Sequence, residues 1–175
     1  MRFHQTSLSG AFVVELETFA DDRGLFARTF CAREFRDQGL TDAFVQCNTS
    51  WNIRKGTLRG MHYQLPPSSE IKLVRCTAGS LQDVIVDLRP DSPSYLKHFG
   101  IELSAQNRLG LYIPEMFAHG FQTLEDSTEV FYQMSAYYAP ELAAGLRHDD
   151  PKLAIKWPLP VAAIAERDAQ WPLLR

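Results

Sequence analysis

Ile71-Lys72-Leu73-Val74-Arg75-Cys76-Thr77-Ala78-Gly79-Ser80-Leu81-Gln82-Asp83-Val84-Ile85-Val86-Asp87-Leu88 reads as two strands about a tight turn. Side chains of an extended chain alternate between faces, so Ile71 and Leu73 take one side while Lys72 and Val74 share the other. Ala78-Gly79-Ser80 falls where the first strand should end. Alternating apolar segments recur on both sides of this pair, at 11–16, 98–103, 108–113, 119–124 and 129–137. Further turn signals stand at Arg89-Pro90-Asp91-Ser92-Pro93 and Ala105-Gln106-Asn107. Short strands at regular spacing predict an all-β jelly roll, an antiparallel sandwich or barrel, rather than alternating strands and helices. Helix is limited to short pieces: 32–38, closed by Gly39 as a C-terminal cap, and a weaker turn at 161–165.

The chain has 175 residues, a length that suits one domain and buries a core without disulfides. A single jelly-roll domain over 1–175 is expected, with Pro158 and Pro160 opening a C-terminal tail over 158–175. Eighteen basic against 21 acidic residues, a net charge of −3, and no long run of either sign leave no electrostatic footprint for nucleic acid or an anionic membrane. Cys31, Cys47 and Cys76 are odd in number and form no Cys-x-x-Cys pair, as in a reduced chain. No basic segment leads into an apolar one at the N-terminus, and no run reaches membrane-spanning length. A soluble cytoplasmic protein is expected.

Thr57-Leu58-Arg59-Gly60-Met61-His62-Tyr63-Gln64 carries the most informative single residue. Strict alternation places Leu58, Gly60 and His62 on one face, so that His62 projects among apolar neighbours. If this face and that of Lys72 line one cavity, it holds a base and a cation. Removing a proton next to a carbonyl needs a base, and the resulting oxyanion needs positive charge. Each residue also has a plainer reading: His62 a hydrogen-bonded core histidine, Lys72 an outward lysine, Tyr132 and Tyr138 amphipathic aromatics, Asp168 an exposed acid in a loose tail. Arg59 is the better site candidate, because Gly60 permits close approach of a ligand to the backbone. For a metal site, His62, Glu70 and His119 are the plausible trio, but Gln64 stands where a second histidine would complete a His-x-His pair.

Several segments resemble one family together: Phe19-Ala20-Asp21-Asp22-Arg23-Gly24-Leu25-Phe26, Gln46-Cys47-Asn48-Thr49-Ser50, Leu58-Arg59-Gly60-Met61-His62-Tyr63-Gln64, Lys72-Leu73-Val74-Arg75, Ala118-His119-Gly120-Phe121, Tyr137-Tyr138-Ala139-Pro140, and Asp150-Pro151 through Trp157-Pro158. In this order and spacing they resemble the dTDP-4-dehydrorhamnose 3,5-epimerases. The resemblance implies a cupin-superfamily jelly roll that acts on a nucleotide-linked 4-keto-6-deoxyhexose without metal or other cofactor. It also implies a homodimer in which an N-terminal region within 1–30 crosses to the neighbouring site.

By the same resemblance His62 removes the proton beside the C4 ketone and Asp168 orients its imidazole. Lys72 binds the C4 oxygen, His119 is a polar contact in the sugar pocket, and Tyr132 returns a proton from the opposite face. Arg23 and Arg59 match the diphosphate contacts, Gln46 and Asn48 the polar nucleotide contacts, and Tyr138 the residue that stacks on the base. Phe26 travels with Arg23 on the crossing segment, and Arg167 stands where lysine is frequent. Arg28 and Ala143 depart from the family's common glutamates, His148 from a frequent tryptophan and Met116 from a frequent glycine. The alternatives are an epimerase inverting only C3 or only C5 of another sugar nucleotide, a metal-dependent cupin enzyme, and a noncatalytic sugar-nucleotide binding module.

Overall fold

The structure is a computed structural model that describes residues 1–174. Its strands in chain order are β1 Arg2–Gln5, β2 Phe12–Glu15, β3 Thr18–Asp21, β4 Gly24–Ala27, β5 Gln46–Asn52, β6 Thr57–Gln64 and β7 Lys72–Ala78. They continue as β8 Ser80–Asp87, β9 His98–Ser104, β10 Gly110–Ile113, β11 Phe117–Thr123, β12 Thr128–Met134, β13 Ala143–Gly145 and β14 Ala163–Ile164. One six-stranded sheet runs β1-β2-β10-β7-β12-β5. The other runs β13-β6-β11-β8-β9, with β14 added against β6, and β3 and β4 form a separate hairpin. Pairing is antiparallel throughout except for β14, which lies parallel to β6. Two facing antiparallel sheets realise the all-β jelly roll expected from the short alternating strands.

The faces follow from alternation. Val74, Cys76 and Val130 of the first sheet meet Leu81, Ile85, Phe117 and Phe121 of the second in the central core. Apolar groups withdrawn from water stabilise at about 25 cal/mol per Å², and here the gain holds sheet to sheet. Several of the strands are buried on their outer faces too. Met61, Val84, Val86 and Ala118 pack under Leu146 and Leu153 on the far side of the second sheet. Leu73 and Tyr112 pack against Phe35, on α1 (Ala32–Asp37), on the far side of the first. Gly39, at φ +71°, donates its N–H to the Arg36 carbonyl and closes α1 where the sequence predicts. The turn expected at 161–165 is instead the parallel strand β14, and the helical turn comes later, as α2 Glu166–Ala169.

One local feature corrects the alternation read through β6. In its pairing with β11, His62 lies opposite His119 and Arg59 opposite Phe121, so three steps along β6 match two along β11. This β-bulge turns Arg59 and His62 to the same face, towards the central core beside Phe121, and sends Met61 to the outer one. Leu58 and His62 therefore do not share a face. Gly60 makes the bulge possible: at φ +116°, a Cβ there would stand 2.5 Å from the Gly120 Cα and 2.7 Å from the His119 carbonyl oxygen. The close approach that Gly60 permits is that of strand β11.

Candidate active site

His62 projects from β6 with its side chain 48% exposed, and its Nε2 lies 2.6 Å from Oδ1 of Asp168, whose own side chain is 6% exposed. The carboxylate comes from α2, on a tail that returns to β6 through the pairing of Ala163 with Thr57 and of Ile164 with Leu58. Its second oxygen accepts the Gly60 backbone N–H at 3.1 Å. Burial alone would raise the Asp168 pKa. The His62 hydrogen bond and charge, with the Gly60 N–H, outweigh it and hold the carboxyl below its ordinary value. The indole Nε1 of Trp171 is buried nearby and has no hydrogen-bond partner among the described residues. Trp171 packs on Gly145 where a Cβ would intrude into its ring. Asp168 is thus a fixed, buried partner of His62, and its reading as an exposed acid in a loose tail is overturned. With Nε2 taken, Nδ1 is the nitrogen that can accept a proton from a ligand.

Lys72 enters from the facing sheet. Its ammonium lies 2.8 Å from Oε1 of Glu70, both side chains are more than 90% buried, and it donates to the His62 carbonyl oxygen at 3.3 Å. A buried ammonium needs such a partner. The reading of Lys72 as an outward lysine fails on this burial. Tyr132, on β12, shares the inner face with Val74, its partner on β7. Burial, reinforced by the Asp83 charge, pushes its phenol well above the ordinary tyrosine range, so the hydroxyl keeps its proton.

His119 is 5% exposed, binds Oδ2 of the fully buried Asp83 at 2.9 Å, and presents its ring edge-on to Tyr132 with centroids 6.2 Å apart. It is thus engaged with protein groups rather than aimed from the surface into open solvent. His62, Glu70 and His119 each hold a different partner, and among the described residues no three His, Cys, Asp or Glu side chains gather as a metal cage. The metal trio read from the sequence is therefore not assembled.

A cavity of about 110 Å³ is lined by His62, Gln64, Glu70, Tyr138, Arg167 and Trp171, among others. Tyr138 is exposed at its mouth, and its backbone N–H is held by Gln46 at 3.2 Å. Gln46 and Asn48 sit opposite Met134 and Tyr132 on β5, which places them on the Tyr132 face. Arg167 lies over the Trp171 ring, 4.8 Å from its centroid, and reaches the Ala143 carbonyl. Arg59 is turned to Asn52, which accepts its Nε at 2.7 Å, and borders a hollow of about 310 Å³ with Trp51 and Arg54. Arg23 and Phe26 are not brought to His62: they lie on the β3–β4 hairpin, where Arg23 pairs with Asp21 and Phe26 is 70% exposed. A larger hollow of about 650 Å³ along α1, lined by Arg28, Arg33 and Glu34 among others, contains none of these groups. Sequence reasoning missed Asp83 and Trp171 altogether and weighed Glu70 only as a metal ligand. The available signal for Glu70 was its place two residues before Lys72, and for Asp83 its place between Leu81 and Ile85 on the inner face of β8.

Comparison with known proteins gives this geometry a context. The family model for dTDP-4-dehydrorhamnose 3,5-epimerase matches residues 5–175. The dTDP-4-dehydrorhamnose 3,5-epimerase of Methanothermobacter thermautotrophicus is 44% identical over 177 residues, covering 99% of this chain and 95% of its own. The Bacillus anthracis enzyme of the same name, crystallised with TDP and PPi bound, superposes with a TM-score of 0.96 at 38% identity over 99% of both chains. A Legionella pneumophila dTDP-6-deoxy-D-glucose-3,5-epimerase in complex with dTDP-4-keto-L-rhamnose gives 0.92 at 37% identity, over 98% of this chain and 92% of its own. A match of this extent, on a fold that sets a carboxylate-held histidine across from a lysine and a tyrosine, places the chain in the dTDP-4-dehydrorhamnose 3,5-epimerase family.

Proposed function

We propose that this protein is an isomerase that epimerises a nucleotide-linked 4-keto-6-deoxyhexose, with dTDP-4-dehydro-6-deoxyglucose as substrate and dTDP-4-dehydrorhamnose as product. The observation that carries the reading is the disposition of His62 and Tyr132 on facing sheets, one held by a buried carboxylate and the other kept protonated by burial. Inversion needs a base and an acid on opposite sides of one carbon.

His62 takes the proton from the carbon beside the ketone through Nδ1, and Asp168 stabilises the imidazolium that forms. Negative charge moves to the C4 oxygen, where the Lys72 ammonium receives it in a site sheltered from water. Tyr132 then delivers its proton from the other face. Tyr138 stacks on the nucleotide base, Gln46 and Asn48 supply polar contacts, His119 bounds the sugar pocket through its contact with Tyr132, and Arg59 and Arg167 bind the diphosphate end. No cofactor takes part in this sequence. The exposed β3–β4 hairpin, with Phe19 and Phe26 both 70% exposed, reaches a second copy of the chain and brings Arg23 and Phe26 to its site, making a homodimer the active unit. A cytoplasmic enzyme is consistent with free Cys31, Cys47 and Cys76; no helix is long and apolar enough to cross a membrane.

Incubation with dTDP-4-keto-6-deoxyglucose in deuterium oxide tests the reaction. Deuterium should enter at both carbons flanking the ketone, and the rhamno-configured product should appear. Incorporation at one carbon only would reduce the activity to that of a single-site epimerase. Binding without any exchange would make the protein a sugar-nucleotide binding module.

A further inference from the structure

Glu70 is a buried acid of the His62 cavity to which the reaction above gives no task. Its Oε1 is occupied by Lys72 at 2.8 Å, while Oε2 is buried and has no hydrogen-bond partner among the described residues. A buried carboxylate oxygen left unpaired is costly, and native sites seldom leave one so without a ligand or water to complete it. Glu70 lines the same cavity as His62, and its neighbour Lys72 reaches the His62 backbone. The second carboxylate oxygen therefore stands beside the ammonium, at the place where the reacting sugar is handled.

Resting on the epimerase reading, we infer that Glu70 is a specificity-determining residue that accepts a hydrogen bond from the sugar's C3 hydroxyl. In a 4-keto-6-deoxyhexose the ketone has two neighbours. C5 carries the methyl group and offers no donor, whereas C3 carries a hydroxyl. Vicinal oxygens stand about one hydrogen-bond length apart, and Oε2 belongs to the same carboxylate whose Oε1 lies 2.8 Å from Lys72 Nζ, so both sugar oxygens can be met at once. The lysine and the glutamate together then read an α-hydroxy ketone: the cation meets the carbonyl oxygen and the anion meets the hydroxyl hydrogen. The same ion pair keeps the ammonium at the ketone oxygen and registers the ring, so that the C5 hydrogen faces His62. A sugar lacking the C3 hydroxyl would leave Oε2 unpaired and bind the ketone without that register.

The test compares C5 deuterium exchange of dTDP-4-keto-6-deoxyglucose with that of its 3-deoxy analogue, in the wild type, Glu70→Gln and Glu70→Ala. C5 is chosen because the deletion does not alter its own substituents. The wild type should prefer the natural sugar by about 10- to 100-fold in kcat/KM, the range of a charge-assisted hydrogen bond. Glu70→Ala should reduce that preference to within about threefold, and Glu70→Gln should fall between them. A merely structural loss would slow both sugars alike and leave the ratio untouched, so a preserved ratio in Glu70→Ala overturns the inference. If Glu70→Ala does not fold, as judged by dTDP binding, the ratio in the isosteric Glu70→Gln decides: a value equal to wild type overturns it. A wild type that exchanges the two sugars equally overturns it as well. Exchange of neither sugar would instead defeat the epimerase reading, and this inference with it.

Discussion

Two imidazole–carboxylate pairs lie side by side, since His62 and His119 face each other across β6 and β11, and the proposed mechanism gives them different work. His62 has half its side chain exposed and receives its carboxylate from the returning tail. His119 is sealed, and its carboxylate, Asp83, comes from the adjacent strand β8. A base that must meet a ligand needs one open nitrogen, whereas a histidine that shapes a pocket wall can be closed on every side. On the proposed mechanism, the same pairing serves as machinery or as scaffold according to what covers the imidazole.

The largest break in the comparison should come from His62→Asn. Loss of the base should cut C5 and C3 exchange by about 10²–10⁴-fold and leave dTDP affinity within about twofold, as judged by calorimetry; near-normal exchange would end its assignment as the base. Asp168→Asn should also lower kcat, but less completely than His62→Asn, because a misoriented imidazole can still take a proton. This variant also sharpens the stability side. The lowered pKa of Asp168 means that its contribution is present above the ordinary carboxylate value of about 3.9 and is lost as pH falls through the lower folded value. The gap in Tm between wild type and Asp168→Asn should therefore close in acid, and a gap that widens there would contradict the sign.

Tyr132→Phe should separate the two halves of the reaction. Deuterium should enter unepimerised sugar while net inversion falls by about 10²-fold; unchanged inversion would pass the acid role to Tyr138 or a water. His119→Asn should invert the pattern of His62→Asn, with a modest effect on exchange but about 3 kcal/mol lost in denaturant unfolding, because Asp83 would be left buried and unpaired. Equal stability would deny His119 its scaffold role. The smallest effect concerns thiols: burial pushes the Cys76 thiol up to about 11, so at pH 8 a maleimide should label exposed Cys47 and spare Cys76.

The sheets were legible because most of their strands alternate, and the turns at Gly79, Pro90 and Asn107 fall between them. What escaped has definite causes. β5, Gln46–Asn52, is a polar edge strand with one buried residue, Asn52, and shows no apolar period. The β3–β4 hairpin is exposed along nearly its whole length, so no buried face marks it within one chain. The bulge at Gly60 is a one-residue event that reverses every face after it, and period-two reading cannot register such a slip. Its sign in the sequence was indirect: Gly60 and Gly120, far apart in the chain, are both required where the two backbones meet. Of the site, His62 and Lys72 stood out through their apolar strands. Asp168 rested on resemblance alone, since nothing in Glu166-Arg167-Asp168-Ala169 signals that this segment returns to β6.

That return has a consequence for how the site comes into being. His62 and Asp168 are 106 residues apart along the chain, and closing so long a loop is a slow, entropically costly event. The tail can dock only on a strand that already has its place in the sheet, so during refolding the jelly roll should form first and catalytic competence should arrive afterwards. Activity should then lag the return of the β-sheet circular dichroism signal, and recovery of the two in step would show that the tail joins the folding nucleus. Time, as well as geometry, distinguishes the machinery from its scaffold: the sealed pair on β8 and β11 is completed by neighbouring strands, and the working pair waits for the tail.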